Sequence, residues 1–290
     1  MSKNRFQPAA RIGATARIGA ATRIGAAARI GAAARIGATL LGLACAPALV
    51  AQFGPPPSGP PRPAKEVAPI DLTGYWVSIV TEDWRFRMVA APKGEFEGVP
   101  LNPEGQKVAK AWDPAKDEAA GNQCKAYGAA GLMRIPTRLH ITWQDDNTLK
   151  IETDAGTQTR IFHFGAPQMP SGPAPGAPPT LQGYSAARWL GPAGGIGYFA
   201  TALDRTKGGS LEVNTSHLSP GYLRRNGVPY SDKTTVQEFY DVIKEPEANW
   251  MVVKTIVSDP TYLFRTMITS THFRKQADAT GWNPSACYAR

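Results

Sequence analysis

Residues 136–164 restrict the fold more than any other stretch of the chain. Leu139, Ile141 and Trp143 alternate with Arg138, His140 and Thr142, and Leu149 and Ile151 alternate with Lys150 and Glu152. Such strict alternation marks half-buried antiparallel strands. Asp145, Asp146 and Asn147 between them suit a hairpin loop, because Asp and Asn tolerate left-handed backbone and bond to their own main chain. A three-residue loop sets Gln144 opposite Thr148. It then pairs Trp143 with Leu149, Ile141 with Ile151, His140 with Glu152 and Arg138 with Asp154. A slip of one residue would mix the two faces, so the register is strongly specified. His140 with Glu152 and Arg138 with Asp154 then lie on the polar, outer face, each pair contributing about 0.2–1 kcal/mol.

A second turn at Ala155-Gly156 puts Arg160, Phe162 and Phe164 on the apolar face of the third strand. A longer loop would put Ile161 and His163 there, burying less apolar area, so the first arrangement is preferred. It places a guanidinium against the core, where it needs a carboxylate or an anion.

Comparable patterns recur at 183–189, 197–203, 210–218, 234–243, 250–257 and 266–274, and a strand opens at Gly74-Tyr75-Trp76. With the meander, that makes about ten. Regularly spaced strands with turn signals between them predict an all-β domain over residues 70–290: an antiparallel, lipocalin-like β-barrel with one short helix and long loops. Closure would bring first and last strands together and remove the exposed edges. The helix is expected over 103–120, started by Asn102 or Pro103. Loops are expected at 122–131 and at the proline-rich 165–180.

The basic balance belongs to the N-terminus. The formal charge is +9, but residues 1–51 hold seven Lys or Arg and no Asp or Glu, leaving 25 basic against 23 acidic residues. That excludes a nucleic-acid footprint on the rest of the chain. Arg-Ile-Gly-Ala recurs from Arg11, Arg17, Arg23, Arg29 and Arg35, too few units for a solenoid. It reads as a low-complexity basic region before the apolar 36–46, which together make a secretory signal over 1–51, cleaved after Ala48 or Ala51. A lipoprotein anchored through Cys45 is the alternative. Residues 52–69 are proline-rich and read as an extended, disordered linker. No apolar run reaches the roughly 20 residues of a membrane-spanning helix. Once the leader is removed Cys124 and Cys287 remain, an even number suited to a disulfide in an oxidising compartment. No Cys/His spacing suits a metal, and no cofactor is expected.

Two resemblances follow from particular residues. Gly74-x-Trp76 at the start of the first strand resembles the N-terminal motif of lipocalins and other calycin barrels. That likeness implies a tryptophan closing one barrel end against an arginine of the last strand, here Arg274. More broadly, Leu72-Thr73-Gly74-Tyr75-Trp76, Gly183-Tyr184-Ser185-Ala186-Ala187-Arg188-Trp189, Leu211-Glu212-Val213-Asn214-Thr215, Gly227-Val228-Pro229-Tyr230-Ser231 and Asp259-Pro260-Thr261-Tyr262 resemble an uncharacterised family of secreted bacterial β proteins. That family usually has Gly-Arg-Trp followed by Glu-Gly-Asp. Here Ala187-Arg188-Trp189 precedes Leu-Gly-Pro and a glycine-rich insertion. The family implies export and a β fold, with no reaction attached.

Alternation carries several polar residues inward: Arg160, His217 with Leu211 and Val213, and Glu238 and Tyr240 with Val236 and Val242. A barrel of about eight or more strands with such a lining can hold a small ligand. Arg160 and Glu238 form the simplest pair. His217 and Glu238 are the candidates for acid–base catalysis, histidine having the pKa closest to neutral. Arg160 and Tyr240 would hold the ligand, and Arg224 and Tyr230, in the loop 219–232, would grip an anionic one at the mouth. The leading reading is a periplasmic or extracellular barrel that binds a small, partly apolar ligand. The alternatives are an isomerase, cyclase or lyase using the same cavity, and a cell-envelope interaction protein with a filled core. The sequence leaves oligomeric state open.

Overall fold

The computed structural model describes residues 62–165, 169–191 and 209–289. The expected leader, the linker up to residue 61 and the strand expected at 197–203 fall outside those residues.

The meander forms as its alternation dictates. β2 (Arg138–Asp145), β3 (Thr148–Thr153) and β4 (Thr159–Phe164) are antiparallel, with Ile141 opposite Ile151, Trp143 opposite Leu149, and Ile151 in turn opposite Arg160. One detail differs: Thr148 faces Asp145 rather than Gln144, because a bulge follows Trp143 and tightens the turn. The outer pairs are present, His140 to Glu152 at 3.3 Å and Arg138 to Asp154 at 3.6 Å.

The remaining wall strands are β1 (Gly74–Ile79), β5 (Tyr184–Leu190), β6 (Ser210–Ser216), β9 (Thr235–Lys244), β10 (Asn249–Ser258) and β11 (Met267–Gln276). Nine strands close into a barrel in the order β1-β11-β10-β9-β6-β5-β4-β3-β2, with β2 returning to β1. Strand directions can alternate all the way round a ring only if the number of strands is even. Nine strands therefore require a parallel join, and β4 with β5 supplies it. The expectation of a wholly antiparallel barrel is corrected at that one pair.

The single expected helix is also corrected. α2 (Pro103–Ala111) begins where Asn102 Oδ1 accepts from Gly105 N at 2.9 Å, as its cap requires. It stops at Trp112 because Pro114 forces the residue before it out of helical backbone. Asp113 then caps α3 (Pro114–Ala119). Two short helices, α1 (Trp84–Arg87) and α4 (Ala129–Leu132), a 3-10 turn at Lys125–Tyr127 and a hairpin of β7 (Gly221–Arg224) and β8 (Val228–Tyr230) complete the described elements.

Both barrel ends are filled. At one, Trp143, Phe164 and Trp189 pack with ring centroids 5.2–6.4 Å apart. Residues of the expected linker dock there: Trp189 Nε1 donates to Ala64 O at 2.8 Å, and Ala64 N to Asn147 Oδ1 at 2.9 Å. The disordered linker expected up to residue 69 is thus corrected from Arg62 onward. At the other end Leu101, Ala129, Ala130, Leu218, Leu223, Val228, Tyr230, Val236, Val257 and Met267 form a second core under the helices and the hairpin.

The β7–β8 turn yields a direct test. Gly227 has φ +79°, and a Cβ there would land in the Trp112 ring. Left-handed strain and overpacking add, so Gly227→Ala should cost about 2–4 kcal/mol in urea unfolding. A loss under about 1 kcal/mol would mean the turn is not held in this form.

Candidate functional site

The inward residues of β4, β6 and β9 meet in one polar layer between the two cores. Arg160 Nη2 lies 2.6 Å from Glu238 Oε2 and Nη1 lies 3.0 Å from Oε1, a two-point pair with both side chains fully buried. Arg160 Nη2 also donates to Thr215 Oγ1 at 3.2 Å, and Thr215 shares a 2.7 Å hydrogen bond with Ser185 Oγ. Tyr240 donates to Glu238 Oε1 at 3.3 Å. Burial pulls the Arg160 guanidinium down, but Glu238 and Tyr240 together more than offset it and the net shift is upward. Burial, then the same carboxylate, pushes the Tyr240 phenol well up. Arg160, Glu238 and Tyr240 are where alternation put them.

These groups are turned on one another. Above them Trp76, Leu139, Ile141, Ile151, Phe162 and Phe273, all fully buried, fill the barrel. The polar lining therefore forms a cross-brace, charge matched to charge.

His217 does not join it. β6 ends at Ser216, and His217 takes a left-handed φ of 60°. Its Nε2 reaches Ala177 O at 2.5 Å on the proline-rich loop, and the side chain is half-buried. Leu218 is fully buried in its stead. Residue 180 bridges to 218 and takes up the local backbone bonds, which turns the chain before alternation can continue. The expected inward His217 is corrected, and no acid–base pair of His217 with Glu238 exists in the barrel.

Arg224 and Tyr230 were expected on a solvent loop at the mouth. They lie instead on β7 and β8, and are 7% and 1% exposed. Tyr230 is wedged between Gly128 and Gly221, and burial raises its phenol. The Arg224 guanidinium lies over the Phe86 ring at 4.3 Å, near Arg87 and Arg134. The last two escaped sequence reasoning. A signal for Arg134 was present, since it interrupts the apolar run Gly131-Leu132-Met133-Arg134-Ile135.

Trp76 is fully buried in the barrel core and donates from Nε1 to Leu72 O at 2.8 Å. The cation over its ring is Lys275 Nζ at 4.5 Å, not Arg274. Lys275 is the residue paired with Trp76, so it faces inward, and Arg274 faces out.

Two of the sequence stretches meet at one carboxylate. Asp259 accepts from Ser231 Oγ at 3.0 Å, Thr234 Oγ1 at 2.8 Å and Thr261 N at 2.7 Å. Another polar cluster joins His272 Nδ1 to Glu82 Oε2 and to Thr81 Oγ1, both at 2.9 Å. One ring nitrogen faces both partners, so it can donate to the carboxylate but cannot relay a proton from the hydroxyl to it.

A groove of about 480 Å³ opens on the outside of the wall. Its floor is Tyr184, Ala186, Asn214, Ser216, Gln237 and Ile256, and the segment 169–172 forms one side. Among the described residues no lining side chain carries a formal charge, and the neighbouring Glu212 carboxylate accepts from Gln237 Nε2 at 2.8 Å and pairs with Arg188. Burial raises the Tyr184 phenol. Cys124 and Cys287 are joined by a disulfide. Among the described residues, no group of three or more His, Cys, Asp or Glu is placed to hold a metal, and no helix is long and apolar enough to cross a membrane.

No family model, curated protein or solved structure matches the chain.

Proposed function

We propose that this chain is an exported, lipocalin-like barrel that binds a small, uncharged, partly apolar molecule on its outer wall, in the groove beside residues 169–172. The groove is the observation that carries this reading. Its volume, about 480 Å³, is within the range of small-molecule sites. Its lining mixes Met169, Ala186 and Ile256 with the amides of Asn214 and Gln237 and the hydroxyls of Ser216 and Ser258. Such a surface rewards an apolar body with a few hydrogen-bonding groups, and the nearby Glu212 carboxylate is already paired with Arg188. Export is supported by the Cys124–Cys287 bond, by the signal-like residues 1–51 and by the resemblance to secreted β proteins.

Binding is favoured over an isomerase, cyclase or lyase reaction because, among the described residues, Tyr184 is the one titratable side chain in the lining. The filled lumen favours a second reading, a cell-envelope interaction protein that works through its surface.

Nile red, a neutral apolar dye, probes the groove. Ser216 is exposed on the groove floor, so Ser216→Trp fills the space without touching the core. The variant should bind the dye at least about tenfold more weakly, a loss of about 1.4 kcal/mol, with unchanged Tm. Equal binding by both proteins would remove the groove from the account and leave the surface-interaction reading.

A further inference from the structure

We propose that the cleft between α1, α4 and β7 binds one small monovalent anion of chloride's size through the guanidinium edges of Arg134 and Arg224. This site is separate from the outer groove, and the proposal does not depend on that reading.

Charge pairing makes the first argument. Arg87, Arg134 and Arg224 are 2%, 7% and 7% exposed. Glu82 pairs with Arg87, and Asp83 Oδ2 lies 2.8 Å from Arg134 Nη2. Glu95 and Glu97 lie within 4 Å of Arg85. Among the described residues no carboxylate is that close to Arg224. Asp83, Glu95 and Glu97 act on it only from further away, and a buried guanidinium without a direct counter-charge is costly.

Unused donors make the second. Arg134 Nη1 and Arg224 Nε and Nη1 are buried with no hydrogen-bond partner among the described residues. Phe86 covers the face of the Arg224 guanidinium, and a ring face leaves the N–H edge unserved. By contrast Arg87 spends its donors on Glu82, on Arg134 O at 2.8 Å and on Ser78 Oγ at 3.2 Å.

Space makes the third. The cleft holds about 20 Å³ between Phe86, Ala126, Ile135 and Leu223 and the arginines. A single water needs about 10–15 Å³ on such a measure, so the occupant is one or two atoms in size. Burial, then the neighbouring Arg134, depress the Arg224 guanidinium to about 10, although Asp83, Glu95 and Glu97 pull it the other way. A monovalent anion there would give Arg224 a direct counter-charge and accept from both arginines.

The test compares thermal unfolding of the protein in sodium chloride, sodium bromide and sodium gluconate at equal ionic strength. Saturating chloride or bromide should raise Tm by about 5 °C over gluconate. Arg224→Leu, which removes the unpaired donors of that guanidinium, should abolish that difference. If the variant does not fold, wild-type crystals grown in bromide give the answer instead: an anomalous peak within hydrogen-bond distance of Arg134 Nη1 and Arg224. The bromide map decides if the two measurements disagree. A map without that peak overturns the proposal and leaves the guanidinium to Phe86 and a water.

Discussion

Glu238→Leu alone should cost the protein about 3–5 kcal/mol in urea unfolding, and adding Arg160→Met should recover most of that loss. The asymmetry comes from the geometry. Arg160 is fully buried and spends both terminal nitrogens on the one carboxylate, with Thr215 and Tyr240 completing the layer. Removing Glu238 strands a cation in the interior. Removing both exchanges a charged brace for apolar volume between two cores that are already apolar. Urea titrations of the wild type, the single and the double variant check this. If the double variant is as unstable as the single, the layer contributes shape or hydrogen bonding that charge neutralisation does not explain.

Cys287→Ser should be comparably damaging. The Cys124–Cys287 bond closes a loop with a sequence separation of 163. Chain entropy for a loop of that length gives about 5 kcal/mol, and measured losses for native bonds run about 2–5 kcal/mol. The bond also anchors the tail. Ser285 N donates to Asp154 O and Thr157 Oγ1 donates to Ser285 O, both at 2.9 Å, so the segment after β11 lies against the β3–β4 turn. Unfolding with and without dithiothreitol should separate by that amount in the wild type and coincide in the variant. Coincident curves in the wild type would show that the two sulfurs contribute nothing through a bond.

The barrel and its polar layer were legible because period-2 alternation reports which side of a wall a residue faces. It put Arg160, Glu238 and Tyr240 inward from two separate strands, and pairing followed from charge alone. Alternation does not report where a strand ends. His217 obeys the parity of β6 and still leaves the wall, since the backbone turns one residue earlier. Ring parity was hidden for a related reason: an odd or even total depends on every strand, and the join of β4 to β5 is a tertiary event. The hairpin of β7 and β8 had a plain signal in Asn226-Gly227, the preferred pair for a tight turn. Its strands are too short for a pattern, so Arg224 and Tyr230 read as solvent-facing. The arginine cleft assembles α1, α4 and β7, distant in sequence, and only Arg134 within an apolar run hinted at it. The outer groove had no sequence signature, because its floor is built from residues that alternation marks as ordinary surface.

The parallel join also dictates the route of the chain. Phe164 leaves the wall level with Ala187, and Tyr184 enters three residues further back on the neighbouring strand, so the chain has to return before β5 can run alongside β4. Three residues of strand span roughly 10 Å, and a parallel pair needs a crossover where an antiparallel one needs only a tight turn. A stiff, proline-laden strap suits that passage better than a supple one. The strap that solves this routing problem is also the flank of the groove, so shortening it would disturb the binding surface and the strand order together.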